Sequence, residues 1–552
     1  MKKILMYITL SLALFACNDD FITKEPLGVS SDATYYEDPD NCRLAVNAMY
    51  DPLGWQALYV RNYMMFDMMS DDCEKGGDML NYDSDQPDVH QIMLFNANSL
   101  NPRVAELWTT YYTIITRACA MLDKAPETDP DILKMRAEAR FLRAFAYFEL
   151  VKIFGPVPLV TNVVSPDEAK NIGNRAEGDD KAKGTEQIKA IYEFVISELD
   201  AIKGDLPATY PSSDFGKVTS VAVKALLAKA YLFNEDYANA YAVSQELIGA
   251  DPMANLEPVY HNIFNFEGTN EQSSEVIFSV QMIPSSGYDK QGDGSIKTLD
   301  MGPRAFVKNN QVKLELAFGY GLNIPSQTLV NAFPAGDPRL DLIAKANIDS
   351  LYLPIYNTST PEWTMIGKHP KNTGYYSLKP YLSYAARTGN GGTNQAQGKD
   401  IILIRWAEVL LNGAEAAFRS GNTADALAWT NAVRTRARQS QRVTNNVDMN
   451  LCTYTTGTVP ANLGSITITD IKKEKQLELH CENGTRYFDL LRWNKTTTDG
   501  DEINANKICG DFKTDLVGKT RSWDDSKLGR LPVPMTQLIL HSGGNLIQNP
   551  GY

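Results

Sequence analysis

Residues 219–249 read TSVAVKALLAKAYLFNEDYANAYAVSQELIG, and the fold turns on how that stretch is read. Apolar residues recur at helical spacing through Leu227, Ala228 and Tyr231, the polar run Asn234-Glu235-Asp236 interrupts them, and a second helical run follows. Small residues, Ala222, Ala225 and Ala228 on the first run and Ala238, Ala240 and Ala242 on the second, would let the two helices touch closely. Ala240 falls twelve residues after Ala228, and residues 406–438 repeat the interval with Ala414 and Ala426 across the turn Ser420-Gly421-Asn422.

That repeated interval is similar to the tetratricopeptide repeat, in which small residues let paired helices pack. Outward from it, helices are expected from Cys42 to about Met69, Val104 to Lys124, Ile132 to Phe154, Glu186 to Ile202 and about Thr469 to Trp493. The Ile132 helix should stop at Gly155-Pro156-Val157-Pro158, where proline cannot continue it. Lys170 to Gly184 reads as a polar surface loop. The expected architecture is therefore mainly α, with a helical scaffold over about 42–250 and 401–495. Residues 253–400 differ, being rich in Gly, Pro, Asn, Ser and aromatics, with one strand-like alternation at Glu275 to Met282 and a glycine-rich loop at Gly389 to Gly398. So much irregular chain in a compact protein is usually functional, and this segment is the expected ligand-binding half.

Charge and motifs exclude several functions. Of 552 residues, 53 are Lys or Arg and 67 Asp or Glu, a net charge of −14 with no basic run, so no nucleic-acid partner is expected. There is no H-E-x-x-H or G-x-S-x-G. Val517-Gly518-Lys519-Thr520 imitates the end of a phosphate loop, but Lys513 stands where its first glycine must be. The five histidines have no ligand spacing. Asp71-Asp72, Asp78, Asp83 and Asp85 form a local acidic group without calcium-loop spacing, read as a solvated loop. No catalytic residue, metal or cofactor is expected. Beyond Cys17, the cysteines at 42, 73, 119, 452, 481 and 509 show no C-x-x-C spacing and are expected to be mostly free, buried thiols.

The N-terminus carries an address. Lys2 and Lys3 precede the apolar stretch Ile4 to Ala16, too short to span a bilayer but the size of a signal-peptide core. Residues 1–16 are therefore expected to be a removed leader. Leu14-Phe15-Ala16-Cys17 resembles a bacterial lipobox, which makes Cys17 the expected site of lipidation by palmitate-type chains. The acidic remainder offers anionic headgroups no attraction, so acyl chains would hold the protein at a membrane. Asp19-Asp20 resembles the surface-export signal of Bacteroidetes lipoproteins.

Further pieces occur in a specific order. They are Ser70-Asp71-Asp72, Arg140-Phe141-Leu142-Arg143-Ala144, Phe154-Gly155-Pro156-Val157-Pro158-Leu159, and Arg405-Trp406-Ala407-Glu408-Val409-Leu410-Leu411. Then come Asn431-Ala432-Val433-Arg434-Thr435-Arg436-Ala437, Glu482 to Trp493, and the terminal Gln548-Asn549-Pro550-Gly551-Tyr552. Together they resemble the SusD/RagB family of outer-membrane nutrient-binding lipoproteins over nearly the whole mature chain, residues 17–552. Lys475 and Asn483 depart from the family pattern. Arg405, Glu408, Glu478, Arg486 and Asp489 are charges within apolar helices and are expected to form partly buried ion pairs.

The resemblance implies a non-enzymatic protein that captures an oligosaccharide or polysaccharide and hands it to a SusC-type TonB-dependent transporter. Sugar rings stack on aromatics while their hydroxyls need polar partners, and on that ground Tyr82, Asp83, Tyr288, Tyr320 and Trp363 are the candidate ligand residues. The alternatives are a peptide-binding RagB-like member, a helical-repeat adaptor and, last, a surface glycoside hydrolase.

Overall fold

The computed structural model describes residues 32–552 except 78–81, 212–213, 265–272, 286, 288, 303–318, 346–350, 356–361, 367–372, 383–385, 387–394, 444–451, 496–498 and 542. For 32–33, 344–345, 351–355 and 362–366 it describes the backbone alone. The leader, Cys17, Asp78 and Tyr288 lie outside these residues, as does most of Gly389 to Gly398.

The scaffold's principal helices are α1 (Pro39–Tyr50), α2 (Met64–Met68), α3 (Pro87–Met93), α4 (Pro102–Lys124), α5 (Pro130–Phe154), α6 (Thr185–Ile202), α7 (Ser220–Phe233) and α8 (Tyr237–Ile248). After the loop-rich segment, which holds α9 (Lys297–Met301), come α10 (Trp406–Arg419), α11 (Thr423–Gln439), α12 (Ile468–Leu479) and α13 (Thr485–Trp493). Local chemistry sets many of the boundaries. The side chains of Asn101, Asp129, Thr219 and Asp236 accept backbone N–H groups at the starts of α4, α5, α7 and α8, and Pro102 and Pro130 begin two of them. Gly155 ends α5 with φ 71°, a conformation that favours glycine.

The two hairpins, α7–α8 and α10–α11, stack on each other through α8 and α10. Leu232, Ala240 and Ala416 form a small apolar cluster between them, roofed by Tyr231, Tyr237 and Tyr241. Ala228, Ala414 and Ala426 are buried, as their spacing predicts. Of the three alanines assigned to α8, only Ala240 faces inward, because residues two apart on a helix lie on different faces. Gly413 permits the closest approach: a Cβ there would stand 2.9 Å from both Ser244 and Trp429.

Two expected helices are broken. The run from Cys42 to Met69 divides into α1, a 3-10 turn at Asp51–Gly54 and α2, since Pro52 and Gly54 interrupt the ladder. The run from Thr469 to Trp493 divides into α12 and α13 at a corner where Cys481, Asn483 and Gly484 take φ of 56°, 51° and 70°. Asp67 holds that corner by accepting the Gly484 N–H at 2.7 Å.

Strands are short and paired in twos: β1 (Cys73–Lys75) with β3 (Asn323–Pro325), β2 (Val276–Val280) with β8 (Ile401–Arg405), β4 (Ile343–Lys345) with β7 (Tyr375–Ser377), and β5 (Leu351–Ile355) with β6 (Glu362–Ile366), all antiparallel. The alternation read at Glu275 to Met282 is β2.

The expected ion pairs form a buried lattice joining β8 to α11 and α12. Arg405 meets Glu275 at 2.8 Å, Glu478 at 2.7 Å and Glu482 at 2.8 Å; Arg436 also binds Glu275 and Glu478. Arg339 adds Glu474 at 2.6 Å and Asp337 at 2.7 Å. Burial raises the Glu478 carboxyl, but Arg436, Arg405 and Arg339 overcome it and hold it below the usual carboxylate range. Glu408 pairs with Lys229 at 2.6 Å, Asp489 with Lys475 at 2.7 Å, and Arg486 with Asp71 at 2.9 Å.

Candidate functional site

Asp71 and Asp72 are not a solvated loop. Both are buried, Asp71 in its pair with Arg486 and Asp72 accepting the Gln476 amide at 2.9 Å. Among the described residues no group of three or more His, Cys, Asp or Glu is arranged to hold a metal ion. The chain then runs through β1 into Gly76 and Gly77, which donate their N–H groups to Leu322 and Gly321. A Cβ on Gly76 would overlap the Gly321 carbonyl at 2.0 Å, so this crossing requires glycine. It brings the start of the loop after β1 against Gly321 and Leu322, next to Tyr320.

A polar shelf lies where four parts of the chain meet. Arg61, from the turn before α2, binds Asp300 of α9 with Nε 3.0 Å from Oδ2. Burial pushes the Asp300 carboxyl up to about 6, against the lowering charges of Arg61 and Arg103. Arg103, in the first turn of α4, binds Asp88 at 2.5 Å and Glu106 at 3.2 Å, and donates to Gln86 Oε1 at 3.3 Å. Asn62 donates to Glu106 at 2.9 Å. Tyr320 follows, anchored by its N–H to the Leu299 carbonyl at 2.6 Å, with the Gln395 amide 3.5 Å from its hydroxyl. The side chains of Arg61, Asp88 and Arg103 are partly open to solvent and that of Glu106 is 37% exposed. Asp300 is buried beneath this set, and guanidinium and amide donors, carboxylate acceptors and a half-buried ring are linked through it and its neighbour Leu299. This inventory suits neutral, hydroxyl-rich ligands.

The sequence-chosen residues fare differently. Tyr320 is on the shelf. Asp83 is exposed and reaches Lys519 at 3.2 Å. Tyr82 offers no stacking face, correcting that expectation: it is 4% exposed, with the Lys75 ammonium 3.9 Å from its ring centroid and His90 edge-on at 4.9 Å. Its hydroxyl donates to the Lys75 carbonyl at 3.0 Å. Trp363 lies not in a loop but in β6, opposite Pro354 of β5. Tyr288 and Cys17 fall outside the described residues.

Sequence reasoning passed over Arg61, Arg103 and Asp300, whose types are ordinary for helix ends and whose meeting spans 239 positions between Arg61 and Asp300. It also passed over Phe215. That ring is 45% exposed beside a groove of about 360 Å3 that Tyr50, Asp51, Gln281 and Asp293 help to line. The signal for it is in the sequence: Asp214-Phe215-Gly216 sets an aromatic among turn residues.

The described surface is a hydrogen-bonding shelf on a mainly α scaffold of stacked helical hairpins. A family model described as the SusD family matches residues 250–552, and one described as starch-binding associating with outer membrane matches residues 51–232. The chain belongs to the SusD family. It is 25% identical to the SusD-like protein P2 of Formosa agariphila across 100% of both chains. Among solved structures it is similar to a laminarin-binding SusD-like protein, with a TM-score of 0.73 and 24% identity over 94% of this chain and 100% of that one. It is also similar to surface glycan-binding protein A from Bacteroides thetaiotaomicron in complex with laminarihexaose, at a TM-score of 0.69 and 23% identity over 92% of this chain and 99% of that one.

Proposed function

We propose that this protein is a non-catalytic, cell-surface glycan-binding lipoprotein. In this reading residues 1–16 are removed, Cys17 carries the acyl chains that hold the protein on the outer face of the outer membrane, and the folded chain delivers an oligosaccharide to a SusC-like TonB-dependent transporter. Family membership supports it, and the names of similar proteins, which speak of laminarin and laminarihexaose, point to glucans as the first ligands to try. The observation that carries the reading is the partly exposed set Arg61, Asp88 and Arg103 over buried Asp300, with Tyr320 tied to Leu299 beside it. Both guanidinium groups are held by carboxylates, so donors and acceptors stand together and suit a ligand whose hydroxyls both donate and accept.

Calorimetric titration of the protein with laminarihexaose, maltohexaose and a peptide mixture tests this directly. Saturable binding of an oligosaccharide, with no smaller sugars released, is the expected result. Binding of peptides alone would replace the glycan reading, and release of sugar products would replace the non-catalytic one.

A further inference from the structure

Cys73 opens β1, and Cys481 occupies the left-handed corner between α12 and α13. They stand 408 positions apart in sequence, yet their Sγ atoms are 3.3 Å apart. Both are buried, with 0% and 4% exposure. This sets them apart from Cys42, Cys119 and Cys509, whose thiols point at the carbonyls of Tyr36, Val160 and Met69. Cys73 and Cys481 point at each other.

One member of the pair borders a cavity. Cys481 lines a cavity of about 70 Å3 whose wall includes Lys297, Lys379, Lys399 and Asn483. Both thiols are raised, Cys73 well above the ordinary range by burial. For Cys481 the hydrogen bond with Cys73 leads the influences that lower it, and Lys379 adds to them, offsetting part of the effect of burial. Cys481, the member that lines the cavity, is the one a small reagent meets first.

We propose that Cys73 and Cys481 form a redox site that closes to a disulfide when the protein meets a low-molecular-weight disulfide, with Cys481 reacting first. The Cys481 thiol gives its proton to water, and the thiolate attacks one sulfur of the reagent. The reagent's S–S bond breaks, its other half leaves and takes up a proton as a free thiol, and Cys481 is left in a mixed disulfide. The Cys73 sulfur then attacks the Cys481 sulfur, the second half of the reagent departs, and the proton given up by the Cys73 thiol leaves with it to make the second free thiol. Two protein thiols are oxidised by two electrons and one small disulfide is reduced to two thiols.

The outward-facing address proposed above would keep such a pair oxidised. The bond would tie β1, which leads toward the shelf, to the corner that follows Glu478 of the ionic lattice. Because it would close a loop of several hundred residues, it would restrict the unfolded chain far more than the folded one.

The full chain is treated with hydroxyethyl disulfide, denatured, alkylated with iodoacetamide, digested and analysed by mass spectrometry without reduction. The expected product is one cross-linked peptide pair joining Cys73 to Cys481 that disappears on reduction, while Cys42, Cys119, Cys452 and Cys509 are alkylated in both samples. The thermal midpoint should be higher in the oxidised than in the reduced protein, and this gap should vanish in Cys73→Ala and Cys481→Ala. Alkylation of both cysteines after oxidant treatment, a mixed disulfide that persists on Cys481, or a cross-link to any other cysteine would overturn the proposal. Peptide mapping of the unsubstituted chain decides it even if neither variant folds.

Discussion

Two groups of buried carboxylates lie within this molecule and behave oppositely. Around Glu478 the acids are matched by three buried guanidinium groups, and the Glu478 carboxyl lies below its ordinary range. Along α2 and β1 the acids are as deeply buried but thinly matched. Asp67 accepts the Gly484 N–H and the Asn323 amide, and burial raises it to about 6. Asp72 is raised to about 7 by burial and by Asp71, and Glu74 to about 7 by burial against the charge of Arg521. Both groups are buried carboxylates, and the supply of cations decides which keep their charge; Asp71, in the second stretch but paired with Arg486, is lowered like the lattice acids despite its burial. The first cements the strands of the loop-rich half to α11 and α12. The second stores protons within one short stretch of chain leading to the shelf.

The largest effect should come from breaking the matched group. Arg405→Leu would leave Glu275, Glu478 and Glu482 short of a cation inside the core, and removing one partner of a buried pair costs about 3–5 kcal/mol. Urea unfolding monitored by circular dichroism should show that loss, with Arg405→Lys falling between the two. A loss below about 1 kcal/mol would mean that water reaches the lattice and the acids are not truly buried.

The thinly matched group should reveal itself through pH. A carboxyl whose folded value is raised holds its proton in the folded chain after the unfolded chain has released it, so stability falls as pH climbs from about 4 to about 7 and levels off above. The lattice works the other way: its stabilisation is fully present above the ordinary carboxylate range and is lost as pH drops through the lowered values. The thermal midpoint should therefore be highest between about pH 4 and 5 and decline toward neutrality, with each raised group contributing up to about 1.4 kcal/mol per pH unit. Asp72→Asn should flatten that decline. An unchanged slope in the variant would remove Asp72 from the titrating set.

The difference between these groups also marks how far the sequence could be read. Ala228, Ala240, Ala414 and Ala426 announced the hairpins because close packing needs small residues at fixed spacing, and Asn101 and Asp129 cap helices through contacts a few residues long. Charges in apolar helices announced the lattice in kind, though not which acid each arginine would meet. Positive φ at Cys481 and Asn483 had no such local sign, since the corner is held from Asp67, 417 positions away from Gly484. Tyr82 was misjudged for a similar reason: glycines and acids around it in sequence suggested an open loop, but His90 closes over it and is itself fixed by Asp515, 425 positions on. The shelf was legible at Tyr320 and not at Arg61, because only tertiary contact brings that arginine to Asp300.

The smallest expected effect concerns the shelf, a third arrangement in which charges are paired but partly wet. The Arg103–Asp88 pair is 16% and 17% exposed where Arg405 and Glu478 are 1% and 0%, so Arg103→Ala should shift the unfolding midpoint less than Arg405→Leu. Its cost should appear in binding instead. Without the guanidinium, Asp88 and Glu106 lose the group that orients them, and ligand hydroxyls lose a donor. Tyr320→Ala removes a ring whose contribution to stacking is about 1 kcal/mol, roughly a fivefold loss of affinity. Calorimetry with whichever of laminarihexaose and maltohexaose binds the unsubstituted protein, alongside Phe215→Ala, distinguishes the two surfaces. Weakening by Arg103→Ala and Tyr320→Ala with Phe215→Ala unchanged locates the ligand on the shelf, whereas the reverse pattern moves it to the groove beside Tyr50 and Asp51.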